Sequence, residues 1–283
     1  MEYILVIWDG KPEHYINVYF QSLRRYNKSC IVYFYYKEDS VVKEYECFNI
    51  KFKKINDKKW HKRRLHHKGE LTRDILQNIN TGDKLLVLDC DLLFQNNPFL
   101  MFDENPGYDL YYTECVMSMW RVVDTPVNGG VRGFVANENS IRLLNFWLEN
   151  NLNPTWGPWV KFDNRILHQK NGVDWWYDQD FLNCIHFHKP PFKLKKINVG
   201  FKYNYFTSKW GFFSKFLEMN TKIGNKNYVI IHFKADFKSL YNINNPKIYN
   251  MNNILKKNIL YTDTSRITKI YNSRLKNGCY YAV

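Results

Sequence analysis

Hydrophobic positions in the first third of the chain alternate between short continuous runs and helical spacings. The runs at residues 3–8, 30–36 and 85–88 have the length and the β-branched or aromatic character of buried strands. Helical periodicity between them predicts helices over residues 14–26 and 70–79. Strand, helix, strand, helix and strand in this order predict a parallel sheet with helices on its faces, as in nucleotide-binding α/β domains.

The rhythm changes beyond residue 91. Further strands are predicted over 108–113, 130–136 and 228–233, helices over 140–149 and 178–186, and mixed structure over 41–54. We therefore expect an α/β fold with a mixed, mostly parallel central sheet flanked by helices. The long segment 151–173, with its Trp, Pro and Gly residues, has the character of a specificity loop.

Composition narrows the class of protein. Hydrophobic residues make up 45% of the 283 residues, too many for a disordered chain, and no apolar stretch approaches the roughly 20 residues of a membrane helix. The first predicted strand begins almost at Met1, which leaves no room for a signal peptide, so we expect a cytoplasmic protein. The six cysteines form no Cys-x-x-Cys pair, which argues against a zinc site and a disulfide framework.

The chain is strongly basic. Lys and Arg number 41 against 27 Asp and Glu, a formal net charge of +14, which favours polyanions, anionic membranes or phosphate-bearing substrates as partners. The basic tail over residues 242–283 could make peripheral contact with an anionic membrane, or it could simply be solvated. The basic run over 61–68 could guide an anionic substrate, with a solvated loop or a nucleic-acid contact as alternatives.

Two carboxylates mark the end of the strand predicted at 85–88. Asp89 and Asp91 follow it directly, and open α/β sheets bind ligands at the carboxyl ends of their strands. Hard divalent cations such as Mn²⁺ or Mg²⁺ take oxygen ligands and can bridge to a diphosphate. We expect the two aspartates to leave the sheet on opposite sides of the chain, one holding a metal and the other a ligand. A solvated turn is the alternative for such a short motif.

Other polar residues stand at places that suit the same chemistry. His232 ends the late apolar strand and could complete the metal site, or could be an ordinary core histidine; Lys238 follows it. Asp178, Gln179 and Asp180 could stabilise positive charge at a reacting carbon, or could cap a helix.

A glycine pair and an arginine complete the set. Gly129 and Gly130, which follow Asn128, permit a close backbone approach to a ligand or an ordinary turn. Arg73, on a predicted helix, suits phosphate and sugar hydroxyls alike, although an arginine there could equally be solvated surface.

In this order and spacing, these patterns resemble nucleotide-sugar glycosyltransferases with the GT-A fold, closest to the retaining glycogenin and lipopolysaccharide galactosyltransferase group. The resemblance extends over roughly residues 3 to 240. It implies metal ligands at Asp89, Asp91 and His232, contacts to the donor nucleotide-sugar from Arg73, Asp89, Asn128, Gly129 and Lys238, and catalysis by Asp178, Gln179 or Asp180.

The resemblance implies a function as well as a site. We expect a metal-dependent enzyme that uses Mn²⁺ or Mg²⁺ to move a sugar from a nucleotide-diphosphate sugar, a UDP-sugar by similarity, to a saccharide or glycoconjugate acceptor with retention. Residues 1–241 would form the glycosyltransferase domain, with the donor half at 1–91, the acceptor and catalytic half at 92–241, and the tail outside it. The alternatives are an inverting enzyme of the same fold, a phosphohydrolase with Asp-x-Asp after a strand, and a non-catalytic nucleic-acid-binding protein.

Overall fold

The structure, a computed structural model, describes residues 1–8, 13–36, 49–55, 60–114, 127–152, 155–157, 177–205 and 227–232. Its strands are β1 (Glu2–Ile7), β2 (Ile31–Tyr36), β3 (Ile50–Lys54), β4 (Lys84–Leu88), β5 (Leu92–Phe94), β6 (Leu110–Glu114), β7 (Val127–Val135), β8 (Lys196–Asn198) and β9 (Ile230–His232). Its helices are α1 (Glu13–Tyr26), α2 (Trp60–Asn78), α3 (Leu100–Glu104), α4 (Glu138–Leu152) and α5 (Tyr177–Phe187), with a 3₁₀ turn at Phe201–Tyr203.

Seven strands form one sheet in the order β3-β2-β1-β4-β7-β6-β8, and β5 pairs with β9 in a second, two-stranded sheet. Strands β3, β2, β1 and β4 run parallel, whereas β7 is antiparallel to both β4 and β6. The predicted mixed, mostly parallel sheet is therefore confirmed. Because β7 runs against β4, the start of β7 lies at the same edge of the sheet as the end of β4.

Alternate residues of the central strands bury into two apolar layers. In β1, Ile4 and Val6 face the layer with α1, β5 and β9, while Tyr3 and Leu5 face the layer with α2, α4 and α5. The strands are thus apolar on both faces, as expected for a sheet covered on both sides. This rigid double layer fixes the edge at which β4 ends and β7 begins.

The helix α2 begins at Trp60, well before the predicted start at residue 70, so the basic run over 61–68 is helical rather than a loop. The elements β5, α3 and β8 were not predicted, because each is too short to carry a periodic pattern. The turn alternative for Asn128, Gly129 and Gly130 is wrong, since all three lie within β7.

Two further expectations can be compared with the structure. None of the helices in the described ranges has the length and apolar character that a membrane crossing requires. Cys30, Cys90 and Cys184 are buried, and the other cysteines, like Lys238 and the tail over 242–283, lie outside the described residues.

Candidate functional site

Asp89, Asp91 and His232 meet at the edge of the sheet where β4 ends. The backbone N–H of Asp89 donates to the carbonyl of Gly130 at 2.8 Å, which extends the pairing of β4 with β7 by one residue. The chain then enters β5, whose first residue, Leu92, is in register with His232 of β9. This antiparallel pair brings a histidine from late in the sequence beside the aspartates.

The three side chains form a compact group of metal-ligand type. One ligand atom of each lies within 4.8 Å of the others. His232 Nε2 is 3.2 Å from Asp91 Oδ1 and 3.7 Å from Asp89 Oδ2. Asp91 is 3% exposed and His232 1%, whereas the Asp89 side chain is 38% exposed. The group is therefore buried on its inner side and open on the side of Asp89.

The expectation that the two aspartates leave the sheet on opposite sides is wrong. The chain bends at Cys90 and Asp91, between β4 and β5, and both carboxylates reach His232. They differ in depth instead of direction, since Asp91 is buried and Asp89 borders solvent.

A chain of hydrogen bonds orients the His232 ring. Thr113 Oγ1 donates to the carbonyl of Val131 at 3.2 Å, Asn204 Nδ2 donates to Thr113 Oγ1 at 2.8 Å, and Asn204 Oδ1 lies 3.0 Å from His232 Nδ1. The last group in this series is the Val131 carbonyl, which can only accept a hydrogen bond. Thr113 must therefore donate to it and Asn204 Nδ2 to Thr113, which leaves Asn204 Oδ1 to accept from His232, so Nδ1 carries the proton. Nε2 is then the ring nitrogen that faces the aspartates. A histidine that binds a metal is commonly held in this way.

Gly130 leaves the space in which the three side chains converge. A Cβ atom at this position would stand 2.4 Å from His232 Cε1, 2.8 Å from Asp89 Oδ2 and 2.9 Å from Asn128 Oδ1. Two carboxylates and an imidazole suit Mn²⁺. The two carboxylates are also ligands of the kind that Mg²⁺ takes. Donor set and space both fit a divalent cation.

Lys68 is a functional candidate that sequence reasoning did not single out. Its ammonium donates to Asp89 Oδ1 at 2.9 Å and to the carbonyl of Gly129 at 3.4 Å, and lies 3.6 Å from Asp178 Oδ2. Lys68 is only 6% exposed. A Cβ on its neighbour Gly69 would lie 2.8 Å from Trp147, so glycine permits the close approach of α2 and α4 that seats Lys68.

Asp178, at the start of α5, is held by the protein on both oxygens. Oδ1 accepts the N–H of Gln179 at 2.9 Å, and Oδ2 accepts from Arg132 NH1 at 3.1 Å beside Lys68. Because α5 begins at Tyr177, Asp178 lies in the first turn rather than at the cap position, so the predicted capping role is wrong, although a carboxylate is favourable near a helix N-terminus. The buried Arg132 has no sequence signature other than its place in an apolar strand.

The start of α5 docks onto the start of β7. Asn183 Oδ1 accepts the N–H of Val127 at 3.1 Å, and Gln179 Oε1 lies 3.4 Å from the N–H of Gly129. Asn128 Oδ1 accepts the N–H of Gly130 at 2.6 Å, whereas its buried Nδ2 has no hydrogen-bond partner among the described residues. Asn128, Gly129 and Gln179 thus lie together next to the Asp89 group.

Arg73 stands apart from this cluster, and two further predicted site residues are not described in full. Arg73 pairs with Asp74 on α2, at 3.1 Å from NH2 to Oδ1, on a partly exposed surface. Asp180 lies in α5, where its side chain is not described, and Lys238 lies outside the described residues. Their predicted roles stay predictions.

Comparison with known proteins places this geometry in a family. A model of the nucleotide-diphospho-sugar transferase family matches residues 33–239, which include β4, the Asp89 group, β7, α5 and β9. The chain belongs to this family. It is a glycosyltransferase, so the non-catalytic alternative is set aside, and the predicted resemblance to GT-A nucleotide-sugar glycosyltransferases is confirmed. A comparison with curated protein sequences gave no match.

Solved structures of glycosyltransferases share the fold. Mouse xyloside xylosyltransferase 1 is similar over 83% of this chain and 99% of its own, with a TM-score of 0.52 at 13% identity. The glycosyltransferase GlyE of Streptococcus pneumoniae is similar over 99% of this chain, with a TM-score of 0.53 at 14% identity, and this chain spans 66% of its length. At such low identity, these similarities show only that the proteins share a fold.

Proposed function

We propose that this transferase moves a sugar from a UDP-sugar to a saccharide or glycoconjugate acceptor, with a divalent cation held by Asp89, Asp91 and His232. The observation that carries the proposal is the convergence of these three side chains where β4, β5 and β9 meet. A bound Mn²⁺ or Mg²⁺ would neutralise the charge of the diphosphate leaving group.

The distribution of burial supports an open ligand position on one side of the cation site. His232 and Asp91 are enclosed, so a metal there would meet the substrate on the side of the partly exposed Asp89. Catalytic metal sites keep such a position, whereas structural sites are closed by protein ligands. The fit of an oxygen-rich donor set to Mn²⁺ points in the same direction.

Basic and polar groups beside Asp89 suit the donor. Lys68 is a cation next to the metal group and would add to the neutralisation of a diphosphate. The buried Nδ2 of Asn128, which has no hydrogen-bond partner among the described residues, could donate to a sugar hydroxyl or a phosphate oxygen. The predicted donor contact of Gly129 belongs to the same proposal, and those of Arg73 and Lys238 are assigned by resemblance alone.

The catalytic group is proposed to lie at the start of α5. Glycosyl transfer develops positive charge at the anomeric carbon, which an amide or carboxylate oxygen on the far face of the sugar can stabilise. Both oxygens of Asp178 are engaged with protein groups, so its charge is suited to holding cations in place. Gln179, which lies beside Gly129 next to the Asp89 group, and Asp180 are the other two candidates for contact with the sugar.

Retention at the anomeric carbon is proposed from the Asp178–Asp180 segment, with inversion as the alternative. The two differ in one measurable product. A screen of nucleotide-sugars for donor hydrolysis with Mn²⁺, followed by NMR of the released sugar, identifies the donor and gives the anomeric configuration. The opposite anomer would replace the retaining proposal with the inverting one.

Thermal shift tests the metal and the nucleotide together. We expect UDP to stabilise the protein with Mn²⁺ present and much less with EDTA, because the cation bridges the diphosphate to the protein. An equal shift in both conditions would refute metal dependence. A shift with other nucleoside diphosphates but not with UDP would refute the UDP-sugar assignment.

A further inference from the structure

Arg132 places a full positive charge in the apolar layer between the sheet and the helices. It lies in the middle of β7, in register with Val87 of β4 and Tyr112 of β6, and it is 1% exposed. Its guanidinium carbon lies 5.4 Å from the centre of the Trp147 ring. An arginine cannot lose its proton at any ordinary pH, so the charge is permanent.

Stability alone is a poor reason for such a residue. Buried ion pairs often contribute less than apolar residues of the same volume would, because both charges must leave water. The Nε and NH2 atoms of Arg132 have no hydrogen-bond partner among the described residues, which adds to the cost. Stability alone is therefore weak support for the ion pair of Arg132 NH1 with Asp178 Oδ2, at 3.1 Å.

That pair is the inner end of a row of alternating charges that reaches the metal group. Asp178 Oδ2 lies 3.6 Å from Lys68 Nζ, and Lys68 Nζ lies 2.9 Å from Asp89 Oδ1. Arg132 and Lys68 share one carboxylate oxygen. The ammonium of Lys68 stands closer to Asp89 than to Asp178.

We propose that Arg132 is a positioning residue, which fixes Asp178 and thereby keeps the Lys68 ammonium beside Asp89, where the diphosphate of the donor would lie. The proposal rests on the proposed function for the identity of the ligands, and on the structure for the charge row. Without Arg132, the uncompensated carboxylate of Asp178 draws Lys68 away from Asp89.

This mechanism predicts opposite changes in two affinities. In Arg132→Met, Asp89 loses its ammonium neighbour, so Mn²⁺ alone should bind about three- to tenfold more tightly, as expected for removal of a nearby like charge. UDP with saturating Mn²⁺ should bind at least about tenfold more weakly, because a cation near the diphosphate has moved. Arg132→Lys keeps the charge and should restore part of the UDP affinity.

Calorimetric titration of the full chain, with Mn²⁺ alone and with UDP at saturating Mn²⁺, measures both affinities. In the double variant Arg132→Met with Asp178→Asn, residue 178 no longer has the negative charge that attracts Lys68. The Lys68 ammonium should then stay beside Asp89, so Mn²⁺ should bind more weakly than it does to Arg132→Met. The matched control is Phe134→Leu, two residues along β7 on the same face and equally buried, which should lower the melting temperature without moving either affinity.

The outcomes separate the inference from the function on which it rests. If the unaltered protein binds neither Mn²⁺ nor UDP, the proposed function fails and the inference fails with it. If it binds both, but Arg132→Met weakens Mn²⁺ and UDP alike, Arg132 is merely structural and the inference alone is overturned. Should Arg132→Met not fold, Asp178→Asn alone decides: a weaker Mn²⁺ affinity supports the row, and an unchanged one overturns it.

Discussion

His232 and Asn204 are joined by a hydrogen bond of 3.0 Å between Nδ1 of the ring and Oδ1 of the amide. The backbone sets this contact, because the N–H of Tyr205 donates to the carbonyl of Ile230 and the N–H of His232 donates to the carbonyl of Tyr205. Asn204 thus arrives beside the ring on a fixed main chain. One amide determines which nitrogen of His232 is offered to the aspartates.

Replacement of Asn204 should therefore weaken metal binding without removing a ligand. We expect Asn204→Ala to lower the affinity for Mn²⁺ by about ten- to a hundredfold, the usual loss when the hydrogen-bond partner of a metal-bound histidine is removed. Asn204→Asp keeps the acceptor and serves as the control, with a smaller loss. Calorimetric titration with Mn²⁺ gives both values, and equal affinities in all three proteins would contradict the orientation of the ring.

Gly129 and Gly130 of β7 should respond differently to alanine. At Gly130 the added Cβ would meet His232 at 2.4 Å, so Gly130→Ala should displace the ring and abolish metal-dependent turnover. At Gly129 the nearest atoms lie at 3.3 Å or more. Overpacking usually lowers the free energy of unfolding by about 1–3 kcal/mol, and Gly129→Ala should lower it by less than that. Turnover and thermal melting of both variants test this, and equal effects would rule out the steric explanation.

Sequence patterns predicted much of this site because the strands that carry it are simple. The apolar run before Asp89 is long enough to identify β4, and strands of a parallel sheet end at one edge, so Asp89 and Asp91 could be assigned to a ligand edge from the sequence. The contribution of His232 came from the family resemblance. Its geometric cause, the pairing of β5 with β9, depends on two strands of three residues each, which no periodicity reveals.

The individual positions of Lys68, Asn204 and Arg132 could not be predicted for a different physical reason. Each reaches the site only through a tertiary contact with a residue distant in sequence. The sequence of the basic run does not show which of its members is buried. Lys68 is buried because α2 packs closely against α4 at Gly69. Asn204 follows a 3₁₀ turn without any motif, and Arg132 interrupts an apolar strand whose pattern predicts only burial.

Lys68 and Arg73, two of the basic residues of α2, can be compared directly. The family resemblance assigns a donor contact to Arg73, whereas the geometry favours Lys68, which lies at the Asp89 group while Arg73 pairs with Asp74. Lys68→Met should weaken UDP binding by an amount corresponding to about 2–5 kcal/mol, as expected when one partner of a buried charged hydrogen bond is removed. Arg73→Met should change it by less than about 1 kcal/mol if its pair with Asp74 is an ordinary surface contact.

The same titration of UDP, at saturating Mn²⁺, distinguishes the two assignments. A large loss in Arg73→Met with little change in Lys68→Met would favour the assignment by resemblance. Melting temperatures guard against an indirect effect, because Lys68 is buried and Arg73 is partly exposed.

Asp91→Asn and Asp89→Asn should lose turnover to different degrees. Asp91 is enclosed by the protein, whereas Asp89 borders both solvent and Lys68. In Asp91→Asn the buried ligand loses its charge, and metal-dependent turnover should fall below detection, with no rescue by excess Mn²⁺. In Asp89→Asn the Lys68 ammonium loses its carboxylate partner at 2.9 Å, so turnover should fall, but a higher Mn²⁺ concentration should recover part of it through the solvent-facing position. Activity measured over a series of Mn²⁺ concentrations separates the variants, with Asp74→Asn on exposed α2 as the charge-matched control. Full activity of Asp91→Asn in EDTA would contradict the metal site altogether, and equal rescue of both variants would contradict the difference in depth between the two aspartates.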